Sequence, residues 1–324
     1  MKLFPKFIFI LVSIISFAGC KQEVSIKTSG LTEINPLSYT DVIFISSSDT
    51  VLTSTFDGKI RKHIKGRDGS EVIIDLSDEI YSLAYDPINR VIFASTLSSG
   101  VVVIDAERSE VVRNLPIKKW AKKLVYNPES NYLLASDAMG QSHCWNTSKG
   151  YSKRELPDQL SEMSAKTVSE DLVIFDGPSI ARKWNIRTNE VSQPISISGR
   201  IADADKDGNI LSIDYNEFAL YNSEIDSVIF KKKHPDWPIH VASQDTIFRA
   251  PVSMYLSEAK MNNEFIFTSS VDRSIRSWNK KSGEWKDDFL GHRATISAMD
   301  ISPNQNQLVS VDLKGGLRFW ELNL

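Results

Sequence analysis

The feature that most constrains the fold of this 324-residue chain is a regular spacing of aromatic and apolar residues, each near the end of a short alternating segment. These residues are His63, Ile104, Trp145, Trp184, Tyr221, Trp278 and Trp320. They follow one another at intervals of 41, 41, 39, 37, 57 and 42. Alternating polarity predicts half-buried β-strands, and a repeat of about 40 residues with four strands per unit is typical of a β-propeller. The spacing therefore predicts seven blades, with six or eight also compatible.

The last complete unit, residues 291–320, carries the fullest pattern. It begins with Gly-His, continues through two alternating segments separated by a turn around Pro303, and ends in an aromatic strand at Trp320. This unit resembles the repeat of the WD-repeat β-propeller family, in which Gly-His begins the unit and Trp-Asp closes its third strand. Here Glu321 follows the tryptophan, and Trp-Asp occurs nowhere in the chain. The resemblance implies an all-β fold of four-stranded antiparallel blades over residues 40–324.

The resemblance also implies a structural hydrogen-bond network inside this unit. His292 is expected to bond to Ser310 on the second strand and to Asp312 in the following turn, while Trp320 shares the Ser310 hydroxyl. Such a network satisfies the polar groups within a blade while the indole fills the gap between blades. We expect these residues to stabilise the closing blade and to take no part in chemistry.

Two further patterns bear on the repeat and its closure. A Ser/Thr-x-Asp triplet precedes the closing residue in four units, at 55–57, 212–214, 270–272 and 310–312. The distance from the aspartate to the closing residue varies between units, which a turn of adjustable length explains. The last unit has only three strands, so the resemblance implies that a strand near Val24 to Leu31, within an N-terminal tether of residues 20–39, completes it and covers both sheet edges.

Residues 1–19 have the pattern of a secretory signal, with two lysines followed by an apolar run from Phe7 to Phe17. The run is too short to cross a bilayer as a mature helix. The following Ala18-Gly19-Cys20 resembles a bacterial lipobox, which implies a lipid on Cys20 that holds the protein on a membrane of the cell envelope. Lys21 favours the outer membrane in enteric-type sorting. The alternative is an ordinary cleaved signal with an incidental cysteine.

Charge and cysteine content exclude several classes of partner and fold. The formal net charge is −3 and no basic stripe is evident along the sequence, so a nucleic-acid partner is not expected. Besides Cys20 the chain has only Cys144, so no internal disulfide is predicted and stability must come from packing. Cys144 is expected to be a small buried hydrophobe rather than a nucleophile. We expect the protein to be a monomer.

A short acidic segment offers a candidate metal site. Asp203, Asp205 and Asp207 alternate ahead of Gly208, a spacing that resembles an EF-hand calcium loop, in which carboxylates converge on a hard cation. The ninth position of this loop is Leu211, and no flanking helices are indicated. The alternative is a plain β-hairpin, because Asp-Gly is itself a strong hairpin signal. The hairpin needs no cofactor, and calcium is the only cofactor that the sequence suggests.

The longest interval, between Tyr221 and Trp278, contains an insertion, which we place within residues 231–240. Lys232, His234 and Trp237 there are candidates for an exposed partner-binding loop, because function concentrates on loops held by a rigid scaffold. The alternative is a connection between blades whose tryptophan packs on the rim.

Two functions from different classes fit this sequence. The first is a membrane-tethered, non-catalytic scaffold that binds a protein or peptide on a propeller face or in the central funnel. The alternative is a hydrolase or a quinone- or metal-dependent enzyme with its site at the funnel mouth, because propellers host both kinds of activity. Carboxylates and histidines from different blades, gathered at one end of the channel, would favour the enzyme.

Overall fold

The computed structural model describes residues 38–45, 49–118, 120–222, 227–241 and 243–322. The predicted signal segment, Cys20 and the proposed closing strand at Val24 to Leu31 lie outside the described residues. The described chain consists of seven antiparallel sheets arranged as blades, together with one extra two-stranded hairpin. The predicted all-β, seven-bladed propeller is confirmed.

The first four blades contain four strands each and follow one another along the chain. Blade 1 consists of β1 (Tyr39–Phe44), β2 (Thr50–Thr55), β3 (Lys59–Ile64) and β4 (Glu71–Asp75). Blade 2 consists of β5 (Ile80–Asp86), β6 (Val91–Thr96), β7 (Val101–Asp105) and β8 (Glu110–Leu115). Blade 3 consists of β9 (Ala121–Asn127), β10 (Tyr132–Asp137), β11 (Ser142–Asn146) and β12 (Ser152–Arg154). Blade 4 consists of β13 (Ser164–Ser169), β14 (Leu172–Gly177), β15 (Ile180–Asn185) and β16 (Ile195–Ser196).

The remaining blades include the inserted hairpin. Blade 5 consists of β17 (Arg200–Ala204), β18 (Ile210–Asp214), β19 (Glu217–Tyr221) and β20 (Val228–Lys233). The hairpin β21 (Trp237–Val241) and β22 (Thr246–Ala250) separates it from blade 6, which consists of β23 (Leu256–Met261), β24 (Phe265–Ser270), β25 (Ile275–Asn279) and β26 (Trp285–Phe289). Blade 7 shows three described strands, β27 (Ile296–Ile301), β28 (Gln307–Asp312) and β29 (Leu317–Glu321). The described helical structure is two 3-10 turns, Thr147–Lys149 and Asp158–Leu160, and no helix in this part of the chain is long and apolar enough to cross a membrane.

The predicted register of the repeat agrees with the strands. All seven closing residues, from His63 to Trp320, lie on the third strand of their blades. The first strands of adjacent blades pack against one another around the axis, and β27 packs against β1. The ring is therefore closed by contacts between described strands.

The core lies between the blades. Among the described residues, seven clusters of buried apolar side chains each join two neighbouring blades. The cluster between blades 7 and 1 includes Val42, Val51 and Val309. The alternating pattern of the inner strands explains this arrangement, because one face of each blade packs on the preceding blade and the other face on the next.

Candidate functional site

The first strands of the blades line a central channel. Their N-terminal halves surround a cavity of about 380 Å³, and their C-terminal halves surround a second cavity of about 270 Å³. Residues from several blades, among them Lys123, Lys166 and Lys260, line both cavities, so the two belong to one channel. We call the end where the first strands begin the turn face, because the turns between second and third strands lie there. In blade 6, for example, the turn residue Val271 bonds to Tyr255, which precedes β23, with an N···O distance of 3.0 Å.

Every first strand carries a β-bulge near its start. In β9, Ala121 pairs with Asp137 and Lys123 with Ser136, so Lys122 between them has no pairing partner in the sheet. The same shift recurs in all seven blades. The skipped residues, which we call the bulge ring, are Thr40, Tyr81, Lys122, Lys166, Ala202, Ser257 and Ser297. A bulge re-aims a side chain, and all of these residues except Ser257 line the larger cavity.

Positive charge is concentrated on one side of this cavity. We use the name basic quadrant for Lys122, Lys123, Lys166 and Arg200, which come from blades 3, 4 and 5. Burial lowers the pKa of Lys166, and Arg200 and both neighbouring lysines lower it further, whereas Asp176 opposes the change. The Lys166 Nζ lies 3.6 Å from the Asp176 carboxylate. Neither Lys122 nor Lys123 forms an ion pair with a residue that the structure describes.

The deeper part of the channel holds a paired charge cluster. Burial raises the pKa of Asp300 to about 6, although Lys260 opposes this shift. Burial alone lowers the pKa of Lys260, but Asp203 and Asp300 outweigh burial and raise it. Lys260 therefore remains an ammonium group between carboxylates.

Inner-strand aspartates also connect neighbouring blades. Asp203 accepts the backbone N–H of Met261 in blade 6 at 2.9 Å, and Asp300 accepts that of Phe44 in blade 1 at 2.7 Å. Asp41 likewise accepts the N–H of Leu83 in blade 2 at 2.8 Å. Their carboxylates thus bind backbone groups across the gaps between blades.

The calcium-loop prediction is wrong. Asp203 points toward blade 6, whereas Asp205 pairs with Lys280 at 2.9 Å and accepts from Asn209, and Asp207 is exposed. No group of three or more His, Cys, Asp or Glu residues able to hold a metal occurs in the described part of the chain. The segment is the hairpin turn between β17 and β18, and its carboxylates do not converge on one point.

Exposed apolar side chains lie on the turn face in five of the seven blades. They occupy the turns between second and third strands, and we call Leu97, Met139, Tyr215, Val271 and Leu313 the apolar rim. Met139 is 69% exposed and Tyr215 is 53% exposed. Tyr215 contacts the exposed Tyr255 with ring centroids 4.0 Å apart. The same turn thus exposes an apolar side chain in five blades, whereas isolated exposed apolar residues would be scattered over the surface.

A second aromatic group lies on the other side of the basic quadrant. Tyr81 of the bulge ring contacts Phe56 and Trp120, with ring centroids at 5.9 and 4.3 Å. The channel mouth is therefore flanked by aromatic groups near blades 2 and 6, with the cationic side chains between them. Aromatic side chains and arginine are enriched at protein-binding surfaces.

The partner-loop prediction at 231–240 is wrong in its boundaries and in part of its content. Lys232 lies on β20, the fourth strand of blade 5, and Trp237 begins the hairpin β21–β22. His234 is buried, its backbone N–H donates to Asn216, and its ring accepts from Arg276 at 2.8 Å. Burial, followed by Arg276, lowers the pKa of His234 well below its usual value. The first residues of this segment belong to β20, so the insertion is the hairpin β21–β22.

The structure brings the four residues of the closing-blade network together. His292 Nδ1 lies 2.9 Å from Asp312, and its Nε2 lies 2.6 Å from Ser310. Trp320 Nε1 donates to the Ser310 hydroxyl at 2.7 Å, so the indole is the donor. Burial lowers the pKa of His292 despite Asp312, which indicates a neutral ring that donates from Nδ1 and accepts at Nε2.

Sequence reasoning missed a regularity in this network. The ring that closes the third strand bonds to a hydroxyl at a fixed distance before it in the sequence. The pairs are Thr53–His63 at 3.0 Å, Thr268–Trp278 at 2.8 Å and Ser310–Trp320 at 2.7 Å. When the hydroxyl partners Thr268 and Ser310 are aligned, the triplet at 310–312 begins two positions earlier in its strand than the triplet at 270–272. The variable spacing of its aspartate reflects two different strand positions, rather than only a turn of variable length.

The comparisons with known proteins agree with this geometry. Residues 283–321 match the family model for the WD domain, G-beta repeat, which runs from the fourth strand of blade 6 through blade 7. The last blade carries a WD40 repeat. Together with the seven-bladed ring, this match supports a WD40 β-propeller.

Relatives of this repeat are distant. The chain is 39% identical over 61 residues to transcription initiation factor TFIID subunit 5 of Caenorhabditis elegans, covering 19% of this chain and 9% of that protein. It is 21% identical over 224 residues to the serine-threonine kinase receptor-associated proteins of Bos taurus and Rattus norvegicus, covering 68% of this chain. That region spans 60% of the length of those proteins.

Cys144 is a buried residue of the core. Its side chain lies in the cluster between blades 3 and 4, and burial raises the pKa of its thiol to about 12. A thiol with this pKa is almost entirely protonated at neutral pH, so it is a poor nucleophile.

Proposed function

We propose that this protein is a non-catalytic interaction scaffold that binds a protein or peptide partner on the turn face of its propeller. The observation that carries this proposal is the apolar rim, which places exposed side chains from five blades on the turn face. Apolar side chains exposed at the same turn in five blades offer a partner repeated hydrophobic contacts on one face. The name of the bovine and rat relatives describes association with a receptor kinase, which supports partner binding as the type of function.

The arrangement of the channel favours a scaffold over an enzyme. Its deep carboxylates face Lys260 and accept backbone N–H groups of neighbouring blades, as Asp203 and Asp300 do. These bonds connect neighbouring blades and give the deep carboxylates a structural role. The mouth, by contrast, combines apolar and cationic groups.

We also propose that the propeller is tethered to a membrane of the bacterial cell envelope through a lipid on Cys20. The support is the sequence alone, namely the apolar run that ends directly before Ala18-Gly19-Cys20. A lipid on that residue would present the propeller to partners near the membrane surface. Cys20→Ala should move the protein from the membrane fraction to the soluble fraction; unchanged sedimentation with membranes would contradict the tether.

Site-specific photo-cross-linking tests the binding face. A cross-linking amino acid is introduced at Met139 or Tyr215 in the full-length protein in its native cells, and the adducts are identified by mass spectrometry. The matched control is Ile88, which is 72% exposed but lies in the turn between β5 and β6 on the opposite face. We expect the same protein to be captured from both rim positions and not from Ile88. Capture of that protein from Ile88 alone would refute the proposed face.

A further inference from the structure

The basic quadrant is the strongest feature that the proposed function does not yet explain. The chain is acidic overall, with a formal net charge of −3, yet four cationic side chains from three adjacent blades line one wall of a cavity of about 380 Å³. Like charges in a confined space repel, and this repulsion contributes to the lowered pKa of Lys166. The cluster therefore favours binding of an anion.

Two carboxylates near the mouth are engaged in hydrogen bonds to neutral groups rather than in ion pairs with this cluster. Asp137 lies on the cavity wall, but its carboxylate accepts the N–H groups of Met139 and Gln141 in its own turn. Asp41 binds the hydroxyl of Ser82 and the amide of Leu83 in blade 2, at 3.0 and 2.8 Å. Among the residues that the structure describes, only Asp176 forms an ion pair with the quadrant, through Lys166. The remaining lysines are available for an external ligand.

The backbone holds two of these lysines at the mouth. Lys122 and Lys166 occupy the bulge positions of β9 and β13, so each side chain is displaced from the regular pleat and lines the cavity. The bulge recurs in all seven blades, so the placement belongs to the fold rather than to one loop. Charged groups at such fixed positions bind with less loss of conformational entropy.

We propose that the basic quadrant receives the carboxylate side chains of an acidic segment in the protein partner. The inference rests on the proposed function, because the flanking apolar rim and tyrosines are suited to a polypeptide. Lysine ammonium and arginine guanidinium groups form charge-assisted hydrogen bonds with carboxylates. Asp41 on the opposite wall, in blade 1, and Glu258 next to the quadrant, in blade 6, would repel the acidic segment and so restrict its orientation across the mouth.

Binding of labelled oligopeptides to the purified protein tests this inference. Fluorescein-labelled octaglutamate, octaglutamine and octalysine are titrated with the protein and followed by fluorescence anisotropy at two salt concentrations, about 50 and about 150 mM NaCl. We expect octaglutamate to bind at least tenfold more tightly than the other two peptides. Its affinity should fall at higher salt, because ionic screening weakens charge pairing.

Charge-reversal variants locate the site. Lys122→Glu combined with Lys166→Glu should weaken octaglutamate binding at least tenfold. The matched control combines Lys206→Glu with Lys281→Glu, which makes the same change of net charge at exposed positions on the opposite face. We expect the control to stay within about threefold of the native protein at the higher salt concentration, because the Debye length is then about 8 Å. Lys122→Glu alone is an exposed change that retains Lys166, and it should show an intermediate loss if the double variant does not fold.

Several outcomes would overturn the inference. Equal binding of octaglutamate and octaglutamine, or an equal loss in the control variant, would show that the quadrant is not a carboxylate site. Tighter binding of octauridylate than of octaglutamate, lost in the Lys122→Glu variant, would assign the quadrant to a nucleic-acid backbone instead. These assays use no partner, so their failure leaves the cross-linking test of the turn face unaffected.

Discussion

Asp312 offers the sharpest test of how the last blade is stabilised. Its carboxylate accepts four hydrogen bonds, from the His292 ring at 2.9 Å and from three backbone N–H groups. Those amides belong to Arg293, Lys314 and Gly316, at 3.1, 2.8 and 2.9 Å. One side chain thus fixes both the entry to the first strand and the turn between the second and third strands. Replacing it with alanine should unfold the protein at lower denaturant concentration.

The expected cost follows from what each donor loses. The side chains of His292 and Asp312 are almost fully inaccessible to water, so the imidazole N–H would lose its partner at about 1–3 kcal/mol. The turn amides can recover bonds to water in part, and together they add roughly another 1–2 kcal/mol. Asp312→Ala should therefore cost about 3–4 kcal/mol, a large share of the ~5–15 kcal/mol stability of a domain. Asp312→Asn keeps one acceptor oxygen and should cost about half as much.

Urea unfolding followed by tryptophan fluorescence measures these differences. The matched control is Asp207→Ala, which removes an exposed aspartate from the turn in blade 5 and should change stability by less than about 0.5 kcal/mol. Gly316→Ala should resemble Asp312→Ala, because a β-carbon there would collide with the Asp312 carboxylate. A loss below about 1 kcal/mol for Asp312→Ala would refute the reasoning, since it would mean that the network is not a structural support of the blade.

Two further predictions concern burial and protonation of the residues that close the third strands. Trp278→Ala should cost about 3–5 kcal/mol of unfolding free energy, and Trp320→Ala clearly less. Both indoles bond to a hydroxyl, but Trp278 is 3% exposed whereas Trp320 is only half-buried. Equal losses in urea unfolding would contradict this. Burial, assisted by Arg61, lowers the pKa of His63 to about 4, so between pH 6.5 and 4 the unfolded chain takes up a proton that the folded chain refuses. The stability that this residue contributes is therefore present above pH 6.5 and should fall by about 2 kcal/mol by pH 5. Urea unfolding of the native protein and of His63→Gln, each above pH 6.5 and at pH 5, measures this loss, which should be smaller in the variant.

The sequence predicted the frame of the fold because the repeat depends on local chemistry. Each third strand ends in a residue that fills the gap between blades, and from His63 to Trp320 these residues lie where the spacing indicated. The fixed spacing between each ring and its hydroxyl partner was also visible in the sequence. The Ser/Thr-x-Asp triplet obscures it, because in blade 7 the triplet occupies a different strand position from those in blades 1 and 6.

The insertion shows how a composition argument can mislead. Prolines and lysines at 231–240 suggested an exposed loop, but the strand pattern continued through Lys232 and the buried His234 packed under Arg276. Arg276 itself is fully buried and pairs with Asp272 and Asp288. A histidine in a polar segment is expected to be exposed. Burial of His234 depends on Arg276 and its two aspartates, which belong to blade 6 and are distant in the sequence.

The basic quadrant could not be predicted from the linear sequence because its members come from three strands that belong to three different blades. It becomes visible when the first strands are aligned at their bulges, because Lys122 and Lys166 are then the skipped residues of adjacent blades. Charge counting along the chain fails here, since a ring brings equivalent positions together regardless of their distance in sequence.

The location of these positions suggests how such a propeller could change its partner without losing its fold. The hydrogen bonds that hold blade 7 lie on its second and third strands and in the turns around them, as Ser310, Asp312 and Trp320 show. The bulge residues face the channel, and Lys122 and Lys166 belong to none of the apolar clusters that the structure describes between blades. Lys122→Glu should therefore alter the charge of the mouth at little cost in stability, whereas Lys166→Glu also breaks the ion pair with Asp176 and should cost more. Lys122 is exposed and forms no ion pair with a described residue, so the Lys122→Glu variant tests the charge of the mouth with the least disturbance of the ring.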